Sequence, residues 1–452
     1  SMTEQTVGAH TRALGFWMCT ALVVGNIIGI GVFLMPAALA PFGVNALAGW
    51  LVTVIGCVFL AYVFAGLARS FPQDDGPYAY TQRAFGDGMA FMVMWCYWVA
   101  TWITNATLAI GVVGYMTILL PAIGASPWYP PVIALSLLWL FVVLNLRGVR
   151  TVGWMQILTT VLKLLPIVAV ILLGVWQLIA DPSAYIEHVP TTPASLRDVM
   201  AASTIALFAM LGIECATIPA CRVCDPERTI PRATIAGAIV TALIYIAISA
   251  IPMFLIPQAE LAASNAPFAD LLSRFVGAGS GELIAIFVIV SGLGALNGWT
   301  LVVGEVTQSF ARHGNFPRVL ARENAHGAPT RAFLLTGTVA SIMLLMNYNQ
   351  SLVNVFTFLS VVVTAANLPL YLVCSLAVLV LLRRRQIARV GRREKMLFAA
   401  AILGAAYCVW AFLGVGWKSL AWALVLCGAG APVYLWSWYR ERRAQTLPSG
   451  AA

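Results

Sequence analysis

Three ionisable side chains stand inside stretches otherwise apolar enough to sit in lipid: Lys163, Glu214 and Glu305. A charge within a bilayer is costly, so each is by default a functional candidate with a partner to be found. Glu214 falls mid-way along its stretch, two residues after Gly212, where a carboxyl reached by water can take up and release a proton. Lys163, in Val161-Leu-Lys163-Leu-Leu-Pro166, can offer its ammonium to carbonyls freed elsewhere, or can snorkel to the nearer surface. Glu305 lies toward the end of its stretch and reads as a solvated vestibule residue or a structural partner of Arg312 and the arginines beyond. The histidines, His10, His188, His313 and His326, all fall outside apolar stretches, so a membrane hydrolase or acyltransferase would have no buried base to use. Cys221-Arg-Val-Cys224 has metal-ligand spacing, but a structural zinc needs a second pair that the sequence does not supply. The other cysteines lie mostly in apolar stretches, as small packing residues. No metal and no cofactor is expected.

The second feature is a place where backbone itself can do chemistry. Gly25-Asn26-Ile27-Ile28-Gly29-Ile30-Gly31-Val32-Phe33 puts three glycines and an asparagine into a span that otherwise reads as membrane helix. Unpaired N–H and C=O groups at that depth are tolerated only where they line a protein cavity, so a break there implies a cavity. Half-helix ends aimed into it offer positive charge from one half and negative from the other, which suits a zwitterion. The competing reading is a small-xxx-small helix contact through Gly25 and Gly29.

The elements that must position these groups follow from composition. With 61% hydrophobic and 10% charged residues over 452 positions, the chain departs from soluble domains, whose charged fraction is about 25%. Apolar windows fall near 14–38, 43–70, 89–120, 128–146, 152–179, 198–221, 233–256, 281–309, 332–347, 353–382, 396–414 and 419–439. They predict an all-α polytopic membrane protein of twelve helices. Of the 26 lysines and arginines, Arg197, Arg274 and Lys418 fall on one side, Lys163 lies inside a span, and the rest share the side of both termini. The positive-inside rule therefore predicts cytoplasmic termini in an inner (plasma) membrane, and accounts for the formal charge of +9 without a nucleic-acid partner. Span one carries its glycine break, and five spans later Phe208-Ala-Met-Leu-Gly-Ile-Glu214 again interrupts an apolar run. Such paired interruptions point to a five-plus-five inverted repeat with its site at the midplane. The expected organisation is a tail over 1–13, a ten-helix transport core over 14–382, a basic loop over 383–395, two accessory helices over 396–439 and a tail over 440–452. Phe71–Tyr80 and Asp225–Pro231, both rich in helix breakers, read as solvated turns.

At this point the residues resemble a known family. Gly25-Asn-Ile-Ile-Gly-Ile-Gly-Val-Phe-Leu-Met-Pro36, Asp75-Gly-Pro-Tyr-Ala-Tyr80 with Phe85-Gly86, Gly212-Ile-Glu214 and Asp225-Pro-Glu-Arg-Thr-Ile-Pro-Arg-Ala233 are similar, in this order, to the amino acid–polyamine–organocation (APC) superfamily. Within it the chain resembles bacterial arginine/agmatine and putrescine/ornithine exchangers. The resemblance implies a substrate carboxylate at the N–H groups of the broken first span, around Asn26, Ile27, Gly29, Ile30 and Gly31. It implies an amino group at the carbonyls of Phe208 and Leu211, with Phe208 as an aromatic lid, and Trp299 as a cation-stacking ring. It places Tyr97, Ala100, Thr101 and Asn105 along the side-chain pocket, with Val362 near the substrate's far end. Lys163 resembles the lysine that stands in for a sodium ion in sodium-independent members, and with Glu214, read from its place after the break as the proton carrier, it is an expected coupling residue. Three departures from the arginine exchanger are visible: Ile30 removes a serine hydroxyl, Phe208 replaces a tryptophan and Val362 replaces a serine. The expectation is an alternating-access exchanger of basic amino acids and their amines, with a neutral amino-acid transporter as the alternative. A channel is disfavoured by the twin breaks. The expected partners are small amino acids or amines and membrane lipid, and a homodimer is left open.

Overall fold

The computed structural model describes residues 15–71, 76–147, 152–213, 225–348, 351–388 and 391–446. The first apolar window does not fold as one rod. Helix α1 (Phe16–Ile27) stops where Ile28 turns extended, at φ −66° and ψ 109°. Gly29 stays extended, a buried 3-10 turn follows over Ile30–Phe33, and α2 (Met35–Leu39) starts again with Pro36 in its first turn, where no N–H is needed. Each break frees carbonyls that lipid cannot satisfy. Four other parts of the chain supply the donors: Lys163 Nζ to Gly25 O at 2.8 Å, Tyr245 OH to Ile27 O at 3.1 Å, Tyr115 OH to Phe33 O at 2.7 Å and Gln258 Nε2 to Ala40 O at 2.9 Å.

Helix α3 (Asn45–Ser70) carries the second window. Where a solvated turn was expected after it, the chain forms helix α4 (Pro77–Phe85), correcting that reading for the part of Phe71–Tyr80 within the described residues. Gly76, at φ +81°, turns the chain, Pro77 opens the helix, and Tyr80, Thr81 and Ala84 are buried on a face that meets α5 and α15. Helix α5 (Asp87–Leu119) is buried at every residue from Trp98 to Tyr115, the signature of a helix enclosed by others. After α6 (Tyr129–Leu146), α7 (Val152–Ala180) and the short α8 (Ala184–Glu187) comes α9 (Leu196–Met210). Its N-terminus is capped by Ser195, whose hydroxyl accepts from Asp198 N at 3.4 Å. Helix α9 ends early: Leu211 is extended and Gly212 takes φ +107°, a conformation that favours glycine. Glu214, Cys221 and Cys224 lie outside the described residues.

Helix α10 (Pro226–Leu255) begins directly after Asp225, so Asp225–Pro231 is a helix start and not the expected turn; a proline at the first helical position costs no hydrogen bond. Short α11 (Gln258–Ala263) packs on α2, and α12 (Pro267–Phe275) sets Phe268 edge-on to Phe33 of the 3-10 turn, at 5.6 Å between ring centres. The chain then runs through α13 (Ser280–Arg312), α14 (Thr330–Asn347), α15 (Leu352–Arg383), α16 (Gly391–Leu413), α17 (Trp417–Gly428) and α18 (Gly430–Thr446).

Among the described residues ten helices are long and apolar enough to cross a membrane, counting α17 and α18 as one. The fold is an all-α polytopic membrane protein. Of the two sequence windows absent from that set, the one near 14–38 is interrupted, and the one near 198–221 runs past α9 into residues outside the described ones. Helix α5 packs between α13 and α15, α1 lies on α10, and α3 on α9. Buried polar pairs pin the contacts: Trp98 Nε1 to Thr307 Oγ1 at 2.8 Å, Asn145 Nδ2 to Asn297 Oδ1 at 2.9 Å, and Tyr407 OH to Thr53 Oγ1 at 2.9 Å, which in turn donates to Ser203 O at 2.7 Å. Such bonds between membrane helices contribute about 0.6 kcal/mol each.

Candidate functional site

The break in the first window and the end of α9 meet at a cavity. Ile27, Gly29, Ile30, Gly31 and Val32 line it from the first break, and Phe208, Ala209, Leu211 and Gly212 from the second. Helix α5 adds Tyr97, Ala100, Thr101, Thr104 and Leu108, a stripe at helical spacing. Helix α13 adds Ala295 and Trp299, one turn apart, and α15 adds Asn367. The space open to the centres of water-sized spheres is about 90 Å³, room for several waters at roughly 10–15 Å³ each. That is the scale of an amino acid or a short diamine.

The first break offers donors. The N–H of Ile28 still bonds to Val24 O, at 2.9 Å, and the backbone of Gly29 meets the hydroxyl of Tyr245, but the N–H groups of Ile30 and Gly31 take no backbone acceptor outside the 3-10 turn among the described residues. The second break offers acceptors at the carbonyl end of α9, where Phe208 O accepts from Leu211 N at 3.3 Å and keeps a second lone pair. The two are in contact: a Cβ built on Gly31 would lie 2.4 Å from Phe208 Cε1, so only glycine lets the ring sit there. Phe208 is itself held edge-on against Phe356, at 5.8 Å between ring centres. The remaining wall is neutral, with Thr101, Thr104 and Asn367 as its polar groups beside the aromatic faces of Tyr97 and Trp299.

Ten of the residues expected in the pocket converge on this cavity: Ile27, Gly29, Ile30, Gly31, Tyr97, Ala100, Thr101, Phe208, Leu211 and Trp299. Asn105 and Val362 do not line it; both are buried in packing. The reason is azimuth. At about 100° per residue, Asn105 is about 80° round α5 from Tyr97, and Val362 about 140° round α15 from Asn367. Asn26 lies in α1, its side chain outside what is described, as is all of Glu214. Lys163 stands behind the cavity at Gly25 O. Glu305 is exposed, and Arg312 pairs with Glu323 instead, at 3.1 Å. The residues missed are chiefly Thr104, Leu108 and Asn367. Continuing the spacing of Tyr97 and Ala100 along α5 finds the first two, and a lone amide in Val363-Thr-Ala-Ala-Asn367-Leu-Pro369 flags the third.

The sequence model of the amino acid permease family matches residues 14–435. The chain belongs to this family, within the APC superfamily. The permease is 30% identical over 430 residues to the cadaverine/lysine antiporter of Escherichia coli (strain K12), covering 92% of this chain and 93% of that one. It is 28% identical to the putrescine transporter PotE of Haemophilus influenzae, over 95% and 98% of the two chains. With PotE of Escherichia coli (strain K12) the identity is 29%, over 94% and 96%. The permease is thus a multi-pass transporter and not an enzyme.

Proposed function

We propose that this permease exchanges a cationic amino acid for its decarboxylated amine across the bacterial inner membrane, by alternating access and without sodium. The observation that carries the reading is the cavity itself, where the N–H groups of Ile30 and Gly31, which take no backbone acceptor outside the 3-10 turn among the described residues, stand opposite the carbonyl end of α9 beside Trp299. The zwitterionic end of the substrate is held between them: carboxylate at Gly29, Ile30 and Gly31, amino group at Phe208 and Leu211. Its side chain runs past Thr101 toward Trp299, where a desolvated cation gains about 2 kcal/mol from the ring face. Lys163 keeps a positive charge on Gly25 O, where a sodium ion would otherwise satisfy freed carbonyls. Glu214 follows the second break and carries the proton when transport is coupled to pH. Twelve spans in two inverted fives plus two, with cytoplasmic termini, complete the architecture. The relatives that exchange or carry lysine, cadaverine and putrescine support the cationic class.

A second reading, neutral amino acids, is favoured by one fact: no described residue of the lining is acidic. Counterflow into proteoliposomes separates the two. Vesicles loaded with lysine or ornithine in sodium-free buffer should take up labelled cadaverine or putrescine; uptake driven by leucine or alanine alone would replace the cationic reading with the neutral one.

A further inference from the structure

The direction of the hydrogen bonds around the cavity carries more than its outline. A threonine hydroxyl has one proton and two lone pairs. Thr101 spends its proton on Trp98 O, at 2.6 Å, and Thr104 on Ala100 O, at 2.8 Å. Asn367 donates through Nδ2 to Val363 O, at 3.0 Å, which fixes the sense of its amide; one N–H and Oδ1 remain without a partner among the described residues. Three oxygens and a single amide N–H are what these side chains have left for a ligand.

We infer that Asn367, together with Thr101 and Thr104, is the acceptor set for the far end of the substrate and selects a primary ammonium. The inference rests on the exchange reading above. A –NH3⁺ group is donor-only and compact, and three separate neutral oxygens can take its protons while the face of Trp299 takes its charge. A carboxylate at that position meets three acceptors and a single amide N–H. An aliphatic end leaves the oxygens unpaired, which is the expensive outcome for buried polar atoms. A guanidinium presents five donors in a rigid plane that suits the paired oxygens of a carboxylate, and no described residue of the lining offers one. Lysine, ornithine and their diamines fit; arginine and agmatine fit less well.

Binding to the purified permease in nanodiscs tests this with lysine, arginine and norleucine, which is lysine without its far ammonium. The wild type is expected to bind lysine about tenfold or more tighter than either of the others. Asn367→Leu is expected to lower lysine affinity about tenfold while leaving norleucine within twofold, which also reports an intact cavity. Unchanged lysine binding in Asn367→Leu overturns the acceptor set and leaves cationic exchange standing. A wild type that binds norleucine and not lysine overturns the exchange reading itself. If the leucine variant binds neither ligand, Asn367→Ser, which keeps an oxygen, must retain the preference for lysine; loss of that preference also overturns the inference.

Discussion

Lys163 shows how one side chain can serve a backbone and a transport cycle together. Its ammonium sits 2.8 Å from Gly25 O, on the carbonyl end of α1, where the helix dipole is negative. The charge is half-buried, so the contact is worth more than a surface ion pair and its loss leaves a carbonyl at membrane depth without a donor. Lys163→Ala is therefore expected to lower exchange at least tenfold in proteoliposomes while size-exclusion and thermal unfolding still report a folded protein; full activity in the variant would refute the role. The wild type should show the same rate with sodium or with choline as the external cation. Residues of this kind were legible because a charge stands out in an apolar run. Asn105 was misplaced and Asn367 missed because uncharged polar residues do not, and which of them faces a cavity depends on helix azimuth.

At the scale of elements, the break in the first helix and the end of α9 work as one joint. Gly31 has no room for a Cβ beneath Phe208, whose ring is wedged in turn against Phe356. Gly31→Ala should push the ring aside and cut exchange about tenfold or more, and Gly31→Ala with Phe208→Ala should lose less than the two single effects summed, since the pair shares one contact. Additive losses in that cycle would mean that the ring and the glycine act separately. Both interruptions were legible as glycines in apolar runs, and the long helices as hydropathy windows. Helices α4, α11 and α12 were not, because they are too short for such a window, and α4 and α12 open on prolines that read as breakers in sequence and as helix starts in the structure.

The whole molecule distributes its charge as unevenly as its apolar surface. On the proposed twelve-span topology, Lys163 lies within the membrane and Arg197, Arg274 and Lys418 are the basic residues opposite the termini. A fluorescent protein fused after residue 452 is accordingly expected to fluoresce in cells, and alkaline phosphatase fused there to be inactive; the reverse pattern would invert the orientation. Burial is uneven too, for α5 is enclosed along the cavity while α17 and α18 turn much of their surface outward. Four carbonyls along the first window, those of Gly25, Ile27, Phe33 and Ala40, are bonded by α7, α10, α5 and α11. An arriving substrate thus finds the first break already tied down, and there forfeits none of the roughly 1–2 kcal/mol per residue that fixing a backbone costs. Selectivity in such a scaffold belongs to the replaceable side chains alone, so the same frame can be retuned from one solute to another by single substitutions at Asn367, Thr104 or Trp299 while its interrupted backbone stays as it is.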